Sequence, residues 1–247
     1  MVPAHIAVLL LSLLSCVTTS AGIVLAALIR DSAKAVASGI GFSAGIMIVV
    51  SAFVLIPAAH AAVGTSGTGL AVGIGAAILW LVNLAIPHSH LVREHGLADT
   101  RLVKSVYLVV IGLILHDVPE GFAMATAYIA SPSIGLLVAL AIALHNLPEE
   151  LAMAVPAMRL RSRRFLLGAA VLLALAEPVG AVLGLLAAAA LAALNGYFMA
   201  FAAGAMIFVS LHELLPMARQ YGRLGWFGAG IVLSGVVYRL LALVTVG

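Results

Sequence analysis

Apolar and polar positions in this chain separate into long apolar runs and short polar gaps. A helix that crosses about 30 Å of hydrocarbon needs roughly 20 apolar residues. Runs of that kind fall near residues 4–29, 36–60, 67–87, 103–128, 133–157, 165–190, 196–217 and 225–245. They predict an all-α polytopic membrane protein of eight transmembrane helices forming a single domain over residues 1–247. No Lys or Arg precedes the first run, which continues to Ile29 without a cleavage pattern. It therefore reads as a span, and neither as a signal peptide nor as a lipoprotein box around Leu13-Leu14-Ser15-Cys16.

The gaps give the orientation. Eleven of the twelve basic residues lie in four of them, Arg30 to Lys34, Arg93 to Lys104, Arg159 to Arg164 and Arg219 to Arg223, with Arg239 the exception. These gaps alternate with ones that carry no positive charge. Since Lys and Arg are retained in the cytoplasm, the four basic loops are expected inside and both termini outside, in a multi-pass protein of the plasma (inner) membrane. Two internal matches add an architecture. Phe42 to Pro57, FSAGIMIVVSAFVLIP, aligns without a gap on Phe201 to Pro216, FAAGAMIFVSLHELLP, sharing Gly, Met, Ser and Pro in register. These are the second and seventh spans, which cross in opposite directions. His116 to Ala125, HDVPEGFAMA, likewise matches His145 to Ala154, HNLPEELAMA, in the adjacent fourth and fifth spans. The expectation is a 3+2+3 inverted repeat, in which helices 1–3 mirror helices 6–8 around the helix 4/helix 5 pair, as in secondary transporters with a midplane site.

Composition supports the membrane reading. Hydrophobic residues make up 64% of the chain and charged ones 9%, against roughly 25% charged in a soluble domain, and the mean hydropathy is +1.25. The net charge of +3 comes from loop residues that report orientation, so no nucleic-acid partner is implied. With Cys16 alone, neither an internal disulfide nor a thiolate cluster can form, and any metal must be held by nitrogen and oxygen.

The chemistry lies where charge is least expected. Asp117, Glu120, Glu149, Glu150, Glu177 and Glu213, six of the nine acidic residues, fall inside spans. A carboxylate at the bilayer centre costs at least about 2.5 kcal/mol, so such a residue points to function. Apart from Lys104 at the very edge of the fourth, no span except the eighth contains a Lys or Arg, which leaves a proton or a bound cation as the partner. His116 and Glu120 are four residues apart, as are His145 and Glu149, so each pair shares a helical face. Between them stand Pro119 and Pro148, which free the carbonyls of Leu115 and Leu144 and are expected to kink the helices where the ligands project. Asp117 and Asn146 point about 100° around the helix, toward a second position, which suggests two adjacent ions. Asp117, Glu120, Glu149 and Glu177 sum to the charge that two divalent ions neutralise. Imidazole with carboxylate suits Zn²⁺, Fe²⁺, Mn²⁺, Co²⁺ or Cd²⁺ and disfavours Cu⁺, Mg²⁺ and Ca²⁺.

The paired H-[ND]-x-P-E motifs, Glu177-Pro178 and the His212-Glu213-Leu-Leu-Pro216 run together resemble the ZIP (Zrt/Irt-like protein) family of divalent metal transporters, over essentially the whole chain. The resemblance implies a binuclear site and transport into the cytoplasm, with Zn²⁺ or a similar divalent ion as substrate and no required cofactor. Carried over by position, one ion would contact His116, Glu120 and Glu149 with His145 or Met47 nearby. The second would contact Asp117, Asn146, Glu149 and Glu177, with Glu120 or Glu149 bridging. Asp117 stands where Asn is usual in the motif, Asn146 where Asp is common, and Glu150 where it usually ends in Gly.

His212 and Glu213 align, through the internal repeat, with apolar Phe53 and Val54, which gives them a role on the ion path. Met47 enters the ligand set only through the resemblance, for Met in an apolar span is otherwise core. A cytoplasmic loop over 88–104 carries His88, His90 and His95, which could handle departing ions. His5 and His60 read as interfacial. Gly39, Gly41, Gly45, Gly69 and Gly73 read as points of close helix approach. Partners are the divalent ions and the bilayer, with a homodimer compatible. No G-x-x-x-x-G-K-[ST] loop is present for a nucleotide. The alternative of an intramembrane metallohydrolase fails at Pro216, which stands where H-E-x-x-H needs its second His.

Overall fold

Lipid offers no hydrogen bonds, so backbone in a bilayer must pair within its own helix or a closed barrel. Among the described residues, all regular structure is helical. The structure is a computed structural model and describes residues 3–29, 32–85, 98–158 and 163–246. The helices are α1 (Ala4–Ile29), α2 (Ala33–Val50), α3 (Ile56–Ala85), α4 (Ala98–Ala130), α5 (Pro132–Met158), α6 (Arg163–Ala190), α7 (Asn195–Val209), α8 (Leu215–Gln220) and α9 (Leu224–Thr245). α4 begins at Ala98, five residues before the expected start of its apolar run. His88, His90 and His95 lie outside the described residues.

Six stretches among the described residues are long and apolar enough to cross a membrane. Their surface is inverted relative to a soluble protein: Leu10, Val17, Val232 and Val244 face outward, while His116, Glu120, His145 and Glu177 are buried. The chain is an all-α, multi-pass membrane protein. One stretch, Ala33–Leu84, has 52 residues, more than a single crossing uses. It is broken at Gly64, whose φ of 71° and ψ of 178° are open to glycine and not to residues with a Cβ.

Two short π-helical turns interrupt the α-helical backbone. Ser51–Leu55 joins α2 to α3, and Ser210–Leu214 joins α7 to α8. In each the closing bond spans five residues, from the Ile56 amide to the Ser51 carbonyl and from the Leu215 amide to the Ser210 carbonyl. Each is followed by a proline, Pro57 or Pro216, which cannot donate to the carbonyl four residues back. The wider turn takes up that lost bond. By contrast, α4 and α5 run through Pro119 and Pro148 as continuous helices.

The helices pack in two groups. α1 and α4 each contact α5 and α6, whereas α2 pairs with α9 and α3 with α7. Contacts of α2 with α5 and of α4 with α7 join the groups. The closest approaches are made at glycines. A Cβ on Gly121 would meet the Glu177 carbonyl oxygen, and one on Gly180 the Val118 carbonyl oxygen, which locks α6 against α4 beside the acidic residues. Gly75 against Phe201 and Gly230 against Ser38 do the same in the other group. Gly39, Gly41 and Gly45 are also close-approach points, as expected. Gly69 and Gly73 are not, because nothing lies within 4 Å of a Cβ built at either. Their spacing places them on the outward face of α3.

This contrast gives a test on one helix. Gly75→Ala forces a methyl onto backbone that cannot swing aside, an overpacking cost of about 1–3 kcal/mol. Gly73→Ala meets open space and gains helix propensity. Thermal unfolding of the purified protein in detergent is expected to show a lowered Tm for Gly75→Ala and an unchanged or raised one for Gly73→Ala.

Candidate metal centre

The sequence places its ionisable residues on neighbouring turns of two adjacent helices, and the fold faces those turns toward each other. His116, Asp117 and Glu120 project from α4, His145, Asn146, Glu149 and Glu150 from α5, and Glu177 from α6. All eight are buried, with exposures between 0 and 6%. Residues 105–158 contain no Lys or Arg, so no cationic side chain from α4 or α5 enters this layer at its centre.

Each histidine reaches across to the glutamate of the other helix. His145 Nε2 lies 2.9 Å from Glu120 Oε1, and His116 Nε2 contacts Glu149 Oε1. Glu149 also faces His145, with Oε2 at 3.7 Å from Nε2. Asp117 Oδ1 stands 3.7 Å from His116 Nε2. Two sets of three therefore converge, His116 with Asp117 and Glu149, and Glu120 with His145 and Glu149. In each set one ligand atom per residue lies within 4.8 Å of the others, and Glu149 belongs to both. The sequence had grouped His116 with Glu120, on one helical face. Helix crossing makes the interhelical pairing the shorter one.

Hydrogen bonds aim these groups. The Ala141 carbonyl accepts from His145 Nδ1 at 3.0 Å, which leaves the Nε2 lone pair of the neutral ring directed at Glu120. A lone pair opposite a carboxylate oxygen is stable only with a proton or cation between them. Ser43 of α2 donates to the His145 carbonyl at 2.8 Å and ties the α5 motif to the second helix group. Donors then run short. Glu120 Oε2, Glu149 Oε2, Asn146 Oδ1 and Glu150 Oε2 are buried without a hydrogen-bond partner. Buried acceptors without donors are rare and costly. Several in one layer fit a site for a positive ion.

The remaining expected residues lie around this core. Glu177 is held by Asn146 Nδ2 and by the Ser15 hydroxyl of α1. Glu213, carried on the second π turn, brings Oε2 to 3.9 Å from His116 Nδ1 and is partly exposed. His212 on the same turn has Nδ1 2.8 Å from Asn83 Nδ2 and stacks on Phe208 with centroids 4.8 Å apart. With Pro216 four residues on, this pair has no hydrolase geometry. Met47 is fully buried with its sulfur 3.6 Å from Ser210 Oγ, and belongs to neither set of three. Ser15, Thr19, Ser43 and Asn83 were not among the residues singled out from sequence. Ser15 and Thr19 are two of five hydroxyl residues in α1, with Ser12, Thr18 and Ser20, so their spacing alone did not single them out.

The chain is similar to known proteins. A family model described as ZIP Zinc transporter matches residues 85–246. A protein named Zinc transporter ZupT from Chlorobium luteolum is 35% identical over 242 residues, covering 87% of this chain and 89% of the relative. Proteins of the same name from Streptococcus mutans and Chlorobium chlorochromatii are each 32% identical, over 95% of this chain and 95% of the relative, and over 94% and 95%, respectively. A buried layer of shared His and Glu ligands without basic partners, the family model and these full-length relatives converge: the chain belongs to the ZIP zinc transporter family.

Proposed function

We propose that this chain is a secondary transporter that carries divalent transition-metal ions, zinc foremost, across the plasma membrane into the cytoplasm through a binuclear site on α4 and α5. The single observation that carries this reading is the pair of buried three-ligand sets sharing Glu149. The relatives are named zinc transporters, and a transporter of this family is not an enzyme.

In the proposed site one ion takes His116, Asp117 and Glu149 and the other Glu120, His145 and Glu149, with Asn146 and Glu177 beside them. Two divalent ions balance Asp117, Glu120, Glu149 and Glu177. Imidazole nitrogen with carboxylate oxygen suits zinc without excluding iron, manganese, cobalt or cadmium. Glu213 at 3.9 Å from His116, with His212 beside it, would receive ions as they leave. The ion sheds water onto α4 and α5 when the site faces outward, and is released when it faces the basic loops.

The architecture is read as eight crossings, with Ala33–Leu84 counted twice around Gly64 and with α7 and α8 counted as one. Several features support an inverted repeat. The π turns Ser51–Leu55 and Ser210–Leu214 fall at matching places in the two aligned segments. Exchanging α1 with α6, α2 with α7, α3 with α9 and α4 with α5 turns the α2–α9 pairing into α7–α3, and α1–α5 into α6–α4. The tight Gly75 contact on Phe201 has its counterpart in Gly230 beside Phe42.

Two measurements test this. In proteoliposomes loaded with a fluorescent zinc indicator, Glu149→Gln removes the shared ligand and is expected to reduce uptake to that of empty liposomes; wild-type flux in this variant would remove the site. An epitope placed after Val246 should be labelled by antibody on intact cells, following the positive-inside distribution. Labelling only after permeabilisation would invert the topology.

A further inference from the structure

The helices outside the His/Glu layer are nearly free of negative charge. Residues 32–93 and 195–247, which hold α2, α3, α7, α8 and α9, contain one acidic residue, Glu213, and its carboxylate faces His116. Their cations are not evenly spread. Contacts between α2 and α9 advance together, from Lys34 with Trp226 to Gly45 with Ser234, so the two helices run in the same direction and begin side by side. At that shared end Lys34 Nζ stands 5.6 Å over the Trp226 ring, within cation–π range. The turn leading into α9 adds two arginines. The Arg219 carbonyl accepts from the Gly222 amide at 3.1 Å and the Arg223 carbonyl from the Trp226 amide at 2.9 Å. Gly222, at a φ of 63°, makes the turn this tight. Lys34, Arg219, Arg223 and Trp226 are all exposed. Arg30 and Asp31, which lie outside the described residues, cancel in charge.

Three cations at one end of an acid-poor helix pair ask for an anion from outside the chain, and the surface beside them says which kind. Leu233 and Leu240 follow Trp226 at seven-residue intervals, on the same face of α9, and are exposed. We propose that Lys34, Arg219, Arg223 and Trp226 form a docking site for the headgroup of an anionic phospholipid, in the leaflet that the basic loops face. The phosphodiester meets the cations, where guanidinium offers paired donors and ammonium a point charge, and an acyl chain lies along the Leu233 and Leu240 stripe. A soluble phosphate would use the cations and leave the stripe unused. Orientation by positive charge asks only for Lys and Arg near the end of a span. Here ring and ammonium are also held in place, because α2 and α9 meet backbone to backbone at Gly41 with Phe227 and at Gly230 with Ser38. The site lies apart from the metal layer and goes beyond the transport reading.

Native mass spectrometry of the purified full-length protein, titrated with phosphatidylglycerol or with phosphatidylcholine of the same acyl chains, reads the site directly. Phosphatidylglycerol is expected to be retained in preference to phosphatidylcholine. Lys34→Gln and Arg223→Gln should each weaken its binding by about fivefold, and the double variant by about thirtyfold, the scale of basic residues at an anionic membrane surface. Trp226→Leu removes the ring under Lys34 and is expected to weaken binding as well, whereas Trp226→Phe keeps an aromatic face and should restore part of it. Arg239→Gln takes the same charge from the far end of α9 and should leave the affinity unchanged. Equal retention of the two lipids, or wild-type affinity in the double variant, overturns the site. An equal loss in Arg239→Gln also overturns it, by reducing the effect to net charge. Glycerophosphoglycerol carries the same phosphodiester without acyl chains. Should it displace phosphatidylglycerol at equal concentration, the occupant is a soluble phosphate and the lipid assignment falls.

Discussion

Negative charge held in hydrocarbon without a basic partner is the constraint on which the rest of this molecule depends. Each carboxylate in the α4, α5 and α6 layer forgoes hydration, and no Lys or Arg within residues 105–158 returns any of that cost. Imidazoles return part of that cost only with a proton or cation held between ring and carboxylate, at His145 with Glu120 and His116 with Glu149. They do not suffice, for four acceptors in the layer remain without donors. A layer built this way is poor at standing empty and well suited to a cation, which is the thermodynamic requirement for cargo that must leave water to cross a membrane.

Much of the surrounding fold serves that layer. Gly121 and Gly180 bring the backbones of α4 and α6 into direct contact at the level of Glu177 and Val118, which places the α6 carboxylate within reach of α5. Ser43 fixes the α5 backbone at His145, and Ser15 reaches Glu177 from α1. All the converging ligands come from the group formed by α1, α4, α5 and α6, whereas Glu213 approaches His116 from the π turn of the other group. The seam between the two groups thus passes beside the ligands. Ser43 with His145 is one of the contacts that cross it.

Sequence patterns made the helical class, the apolar spans and the ligand-bearing turns legible, because each rests on local rules. Span length follows from bilayer thickness, and His116 with Glu120 or His145 with Glu149 follows from helical periodicity. What depends on how helices cross was not legible. The four-residue spacing suggested that His116 and Glu120 bite together, but helix crossing brings His116 nearer Glu149 and His145 nearer Glu120. Gly69 and Gly73 had the same small-residue signature as Gly41 and Gly45, and only the fold tells an outward face from an inward one. The π turns were missed because a proline marks a lost hydrogen bond without saying how the helix absorbs it. Pro57 and Pro216 follow wide turns, while α4 carries Pro119 as a continuous helix.

The contrast between the two sides of α5 bears on how such a layer could discriminate among ions of equal charge. Toward α4, every ligand set contains an imidazole, whose lone pair rewards borderline transition metals. Toward α1 and α6 no imidazole takes part, and the Asn146 amide and the Ser15 hydroxyl both donate to Glu177. Glu150 follows Glu149 directly and so points about 100° away from it around α5. The Glu150 carboxylate, buried in the same layer, is therefore turned away from the two sets of three and belongs to neither.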